Sequence, residues 1–290
     1  MIVVHQIPYD SGHRGMRMGA GPLALVEYGL LDRLRTVDRD ARFVVHEADA
    51  AFRTEIGTAF ELHRKLAEAV AQTLQAAGWP LILSGNCNSS IGVVAALLAA
   101  DPTPDLGVLW LDGHGDCNTP ETFTGDFLDA MGLSTITGRC WQALNATVPG
   151  FRPIPDERCA LLGAHGADAG AVAVLKSSAI RRVPPAEFDA LPCVLEALFA
   201  CGVRRLYLHL DIDVLDAATV GLANAFAPKG GLSADRLRQA MRWTVERLPI
   251  AAMTVASYDP ALDVDGGVRA AAFAAVDAVV GGVRGRRRSP

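Results

Sequence analysis

Three side chains that bind divalent cations well stand at alternate positions in Asp112-Gly-His114-Gly-Asp116. In extended backbone, residues i, i+2 and i+4 project to one side, so two carboxylates and an imidazole can converge on one point. They follow residues 108–111, a short uncharged apolar run of the kind expected in a strand buried on both faces of a parallel sheet. Left unpaired at the end of such a strand, these groups would be costly, and a divalent metal is the simplest partner for them. Gly113 and Gly115 let the backbone bend between the three. The competing reading is an acidic loop at the start of the next helix. A second copy of the arrangement argues against it: the apolar run 206–210 ends in Asp211 and Asp213, again at i and i+2. Two strand ends carrying convergent carboxylates are hard to explain as solvated surface.

The elements that must position these groups alternate along the chain. Apolar runs predict strands over 1–4, 42–46, 81–84, 108–111, 159–163, 180–183, 204–210 and 251–256. Between them, helical spacing covers 23–34, 59–77, 91–98, 192–201, 233–247 and 266–280, with Ser233 as an N-cap. The expectation is an α/β protein of three layers, a mainly parallel sheet with helices on both faces. Ligands in such folds sit outside the carboxyl ends of the strands. Candidate segments follow residues 84, 111, 163, 210 and 256, all at that edge. The glycine-rich stretch 9–22 lacks the spacing of a phosphate-binding fingerprint and reads as a connection. No linker or repeat divides the chain, so residues 1–282 read as one catalytic domain, with 283–290 a basic, disordered tail.

The chain has 290 residues, half of them hydrophobic and 20% charged, which suits a large single core. A net charge of −5 gives no reason to expect nucleic acid or anionic membranes as partners. No apolar run approaches membrane-spanning length, and the first, at 2–4, is too short for a signal peptide, so a cytoplasmic protein is expected. The six cysteines form no small-domain disulfide framework. Cys159 and Cys193 read as buried thiols, and Cys117 as a core-facing one.

Taken together, these motifs resemble the ureohydrolase family of arginase, agmatinase and their relatives. Gly19-Ala-Gly-Pro22 resembles the family's early Gly-Pro turn, Asp112-Gly-His-Gly-Asp116 its Asp-Ala-His-x-Asp signature, and Asp211-Ile-Asp-Val-Leu-Asp216 its Asp-x-Asp-x-x-Asp signature. Lys229-Gly-Gly-Leu-Ser233 matches the segment that follows. The resemblance implies an arginase-like fold, a trimer or hexamer, and two Mn²⁺ ions per chain. It implies that Asp112 and Asp211 bridge the ions, that Asp116 completes one ion, and that His114 with Asp213 completes the other. Hydroxide held between the metals would then attack the carbon of a guanidino or amidino substrate; His114 and Asp129 are the expected catalytic residues. His209 reads as a structural histidine beside the ligands.

Four departures qualify the resemblance. Where arginases place a histidine ligand in Gly-Gly-x-His-Ser, this chain has Cys87, read as a thiolate ligand that makes Zn²⁺, Fe²⁺ and Co²⁺ candidates beside Mn²⁺, or else as a weakened site. A hydroxyarginine-hydrolysing branch of the family is similar in carrying a cysteine there. Asp129 stands in place of a proton-shuttling histidine and would need its pKa raised by burial. Ser257 replaces the glutamate that pairs with guanidinium, with Asp259 two residues on as a substitute. Of the acidic cluster that holds the α-amino group, Asp168 remains, with His165 added. Asn118 matches the residue that meets the substrate carboxylate. The resulting expectation is a hydrolase of a linear amidine other than plain L-arginine, such as hydroxyarginine. A same-fold hydrolase of another amide or formimidoyl substrate, or a catalytically silent metal-binding relative, stays open.

Overall fold

The structure, a computed structural model, describes residues 1–101, 103, 105–123, 125 and 127–288. Its strands are β1 (Ile2–Ile7), β2 (Tyr9–Asp10), β3 (His13–Arg14), β4 (Arg42–Val45), β5 (Trp79–Ser84), β6 (Leu106–Leu111), β7 (Cys159–Leu162), β8 (Arg181–Val183), β9 (Arg205–Asp211) and β10 (Ile250–Ala256). The helices are α1 (Gly21–Glu27), α2 (Leu30–Val37), α3 (Glu55–Gln75), α4 (Ser90–Ala100), α5 (Gly132–Ile136), α6 (Gln142–Asn145), α7 (Ala169–Ser177), α8 (Leu191–Ala200), α9 (Ala234–Arg247) and α10 (Gly267–Arg288). Eight strands form one sheet in the order β4-β1-β5-β10-β9-β6-β7-β8, and every pairing in it is parallel. All eight carboxyl ends therefore lie along one edge, as expected of an α/β sheet.

Strand alternation sorts the core into two layers. Leu109, Leu111, Leu208, Leu210, Met253 and Val255 pack on one face with α2, α8, α9 and α10. Val108, Trp110, Tyr207 and Ala252 pack on the other with α3 and α4. Helix α4 buries every residue from Ser90 to Leu98, as a helix that is apolar all round must. Leu109 and Leu111 are wholly buried, and truncating either to alanine would cost about 2–5 kcal/mol. Residues 112, 113, 211 and 257, which leave the middle of the sheet, are anchored by this core.

Several sequence expectations need correction. The helix expected over 23–34 is two helices, because Gly29 takes a left-handed φ of 95° between them. Helix α7 went unexpected, since 169–177 is small and apolar without a periodic polar face; Asp168 caps it by accepting from the N–H of Ala171 at 2.9 Å. Stretch 9–22 holds the antiparallel β2–β3 pair and a 3-10 turn over Arg17–Ala20 rather than a plain connection. The last helix passes residue 280 and continues through Arg288, so most of the expected basic tail is helical; Ser289 and Pro290 lie outside the described residues. Cys193 is exposed, not buried, because it falls on the outer face of α8. Among the described residues no helix is long and apolar enough to cross a membrane.

Candidate metal centre and active site

Asp112 follows β6 directly, on the same face as Trp110, two residues earlier. The indole of Trp110 donates to Asp112 Oδ2 at 2.9 Å, and the N–H of His114 donates to Oδ1 at 2.5 Å. Asp211 ends β9 on that face, and its Oδ1 accepts from the N–H of Asp213 at 2.8 Å, closing the turn Ile212–Val214. This cap turns Asp213 back toward β6, where its Oδ1 accepts from Gly113 N–H at 3.0 Å and its Oδ2 lies 3.2 Å from His114 Nδ1. A side chain at position 113 would collide with the Asp213 carbonyl, and Gly115 takes a φ of 104°, so both glycines are needed for the approach. From the end of β5, Cys87 Sγ donates to Asp211 Oδ2 at 2.9 Å and lies 3.3 Å from Ser257 Oγ, beyond β10.

The result is two overlapping clusters with ligand atoms within 4.8 Å of one another: Cys87, Asp112 and Asp211, and Asp112, His114 and Asp213. Asp112 belongs to both. Asp116 joins neither, yet it lines the same cavity, and its buried Oδ2 has no hydrogen-bond partner among the described residues. Its backbone, at φ 49°, sits in the left-handed region that a non-glycine residue enters at a cost.

Electrostatics identify what these clusters lack. Burial, compounded by the charges of neighbouring aspartates, pushes Asp112, Asp116 and Asp211 above the ordinary carboxylate range. Burial and the same carboxylates push the Cys87 thiol well up. For Asp213, burial works upward, but the hydrogen bond and charge of His114 outweigh it and lower the group. For His114, burial works against the charge, and contact with Asp213 more than offsets it, lifting the imidazole to about 9. A cluster of hard oxygen donors, one imidazole and one thiol, with an orphan carboxylate oxygen and mutual repulsion, fits divalent cations.

Of these groups, His114, Asp116, Asp211 and Asp213 form the floor of a cavity of about 380 Å³, with Cys87 and Asp112 behind them. Its walls bring in Asn118, Asp129, Asp168 and Ser257 from the sequence expectations. Asp259 is not brought there: its Oδ1 accepts from Ala261 N–H, and it is absent from the lining residues. Asn118 Nδ2 donates to Asp168 Oδ2 at 2.8 Å, and Asn118 Oδ1 accepts from Thr122 at 3.1 Å. Asp129 accepts from the Asn88 N–H and from Asn86 Nδ2, both at 2.9 Å. Burial drives Asp129 well above the usual carboxylate range, those hydrogen bonds oppose it, and the charges of Asp10 and Glu55 add to it.

Sequence reasoning missed Ser11, Arg17, Met18, Phe123, Phe127, Asn224 and Phe226, all of which line the cavity. Asn224 braces the floor, donating to Asp213 Oδ2 at 3.3 Å and to the Ser257 carbonyl at 3.0 Å. His209 pairs with Trp110 in register and stacks on it at 3.7 Å, fully buried and outside both clusters. Its Nδ1 lies 2.9 Å from Ser90 Oγ, and burial holds the ring neutral, with a pKa near 3.

The chain is 28% identical to an arginase of Bacillus caldovelox over 274 residues, covering 89% of this chain and 90% of that one. It is 31% identical to an N(omega)-hydroxy-L-arginine amidinohydrolase of Streptomyces lavendulae over 167 residues, 58% of this chain and 56% of that one. The solved structure of the Bacillus caldovelox arginase superposes with a TM-score of 0.85 at 25% identity, covering 97% of this chain and 98% of that one. The sequence model of the arginase family matches residues 1–281. By that match the chain belongs to the arginase family, hydrolases of the ureohydrolase type that act on guanidino and amidino bonds.

Proposed function

We propose that the protein is a binuclear-metal amidinohydrolase whose substrate is a guanidino or amidino compound other than plain L-arginine. The observation that carries this reading is the pair of ligand clusters sharing the buried Asp112, with His114, Asp211 and Asp213 of those clusters lining one cavity. Asp112, Asp211, His114, Asp213, Cys87 and Asp116 would together hold the two cations. Manganese suits the carboxylates, while the Cys87 thiolate brings Zn²⁺, Fe²⁺ and Co²⁺ into contention. Such ions, when bound, act as Lewis acids and make hydroxide available at neutral pH.

The chain's own groups do the rest. Asp129, held toward its protonated form by burial, supplies a proton to the departing amine as the C–N bond breaks. Asp168 accepts hydrogen bonds and offers a negative charge to a substrate ammonium. Ser257 presents a hydroxyl where a guanidinium would need an acid, and Asp259 is turned away. A hydroxyguanidine or formimidoyl group, a weaker base than guanidine, fits that uncharged wall better. The Streptomyces relative's hydroxyarginine activity supports the same choice.

The test is release of urea or hydroxyurea from N-hydroxy-L-arginine, L-arginine and agmatine, and of formamide from formimidoyl amides, by Mn²⁺-loaded protein, before and after chelation. Hydroxyarginine turned over at least ten times faster than arginine, lost on chelation and lost about a hundred-fold in Asp129→Asn, is the expected outcome. Turnover that survives complete metal removal, or metal-loaded protein that cleaves none of the four, would sink the reading.

A further inference from the structure

Nineteen residues line the cavity, and Arg17 is the sole arginine or lysine among those described. Every other charged lining group is an aspartate, apart from His114. Metal ions on the floor would neutralise most of the carboxylates there, which leaves Arg17 and Asp168 as the charges a substrate meets on the walls.

The guanidinium of Arg17 is held rather than loose. Its Nε lies 2.9 Å from Asp10 Oδ2 and its Nη2 donates to Asp10 Oδ1 at 3.1 Å and to Ser11 Oγ at 3.2 Å. Asp10 is itself clamped, with its side chain fully buried and Asn86 Nδ2 3.4 Å from Oδ1. This side-on pairing occupies one edge of the planar fork, so Nη1 keeps its donors for another acceptor. The side chain is half exposed. Ser11 takes left-handed backbone at φ 48° because it and Gly12 form the two-residue turn of the β2–β3 pair, and Arg17 takes φ 46° where the chain leaves that pair. Phe123, Phe127 and Phe226 share the walls, with the last two rings 5.4 Å apart, and give the cavity an apolar lining beside Arg17.

Asn118 is poorly placed to receive a substrate carboxylate alone. One of its amide N–H bonds is taken by Asp168, whose negative charge stands beside it, and its carbonyl is taken by Thr122. An acid arriving there meets repulsion.

We propose that Arg17 binds the carboxylate of the substrate and makes this enzyme selective for guanidino or amidino acids over the corresponding amines. The proposal deepens the function proposed above and rests on it. The substrate then spans the cavity with its amidine on the metal floor, its ammonium at Asp168 and its carboxylate at Arg17 Nη1, which is fixed in advance by Asp10.

The experiment pairs acids with amines that lack only the carboxylate. Turnover of N-hydroxy-L-arginine and N-hydroxyagmatine is measured in the wild type, Arg17→Gln and Arg17→Lys, beside calorimetric binding of L-ornithine and putrescine to Mn²⁺-loaded protein. In Arg17→Gln, KM for the acid should rise about 10- to 100-fold with kcat within about threefold, and the amine should be unaffected. Binding of L-ornithine should weaken alike while putrescine holds, and Arg17→Lys should restore part of the selectivity. Acid and amine losing equally would mean that Arg17 only supports Asp10, and a wild type that binds L-ornithine no more tightly than putrescine would overturn the proposal without any variant. Tight, Arg17-dependent binding of L-ornithine with no turnover of any substrate would instead remove the hydrolase reading and leave the anion subsite standing.

Discussion

Replacing Trp110 by phenylalanine should weaken metal binding although the indole touches no cation. Trp110 Nε1 donates to Asp112 Oδ2 at 2.9 Å in a fully buried setting, and Asp112 is the carboxylate common to both clusters. Burial, and after it the charge of Asp213, drives Asp112 toward the protonated form, so the indole N–H, with His114, is one of the few groups that favour the anion a metal requires. A hydrogen bond to a charged group is worth about 1.5–3 kcal/mol. At about 1.4 kcal/mol per decade, that corresponds to about a 10- to 140-fold loss of affinity, in the range found when partners of metal ligands are removed. Phenylalanine keeps most of the apolar volume and the stack on His209, so the fold itself should lose only about 1–2 kcal/mol. The assay is Mn²⁺ titration of chelator-stripped protein against a competing indicator, with thermal unfolding of the metal-free form as a control. Leu109→Ala, on the opposite face of the same strand, supplies the comparison: it should cost stability and leave affinity alone. If the two variants lose metal affinity equally, or Trp110→Phe stays within about threefold of the wild type, the argument from the indole N–H fails.

Two further outcomes are expected. Metal analysis of protein purified without added metal should find two ions per chain in both the wild type and Cys87→His; a second ion seen only in the variant would show that Cys87 dismantles a site. His5 and His46, buried and with ring nitrogens 3.0 Å apart, have pKa values pulled to about 3 and about 4, by burial first and then by neighbouring positive charge. Both lie below the unfolded value near 6.5, so their contribution is full above that pH and is lost as pH falls toward 4 and 3, by about 2 kcal/mol each at pH 5. Denaturant unfolding between pH 7.5 and 5 reads this loss together with that of His63 and His209, which burial lowers in the same way, and His46→Gln should reduce the total by about 2 kcal/mol; an undiminished loss would refute the assignment.

What could be read in advance followed from periodicity. The six inner strands of the main sheet are legible as apolar runs, because a strand buried on both faces has little room for polar residues; the edge strands β4 and β8, which carry Arg42, Arg181 and Arg182, are legible only by their short apolar ends. The candidate ligands at 112, 114, 116, 211 and 213 are legible because a strand end imposes an alternation that few other structures share. Their order along one edge follows from the parallel sheet, which the strand–helix alternation already requires.

The walls of the cavity obey no such rule. Arg17, Phe123, Phe127 and Phe226 lie in loops, and neither their types nor their spacing distinguishes them from solvated surface; only the return of the β2–β3 turn to the sheet edge makes Arg17 a neighbour of Asp10 and of the cavity. Asp259 shows the converse. Its distance along the chain from Ser257 suggested a substitute acid, but beyond the last residue of β10 the strand period no longer holds. Ser257 takes φ 65°, and the backbone turns so that Asp259 donates its N–H to the Ala223 carbonyl at 2.7 Å instead of facing the cavity. The chemistry common to the family thus sits on the strand ends, where sequence pattern dictates direction. The cavity walls sit on loops, where direction is set by contacts between segments far apart in the chain, so in the role proposed for Arg17 a single arginine there would change which acid or amine is accepted without disturbing the strand ends.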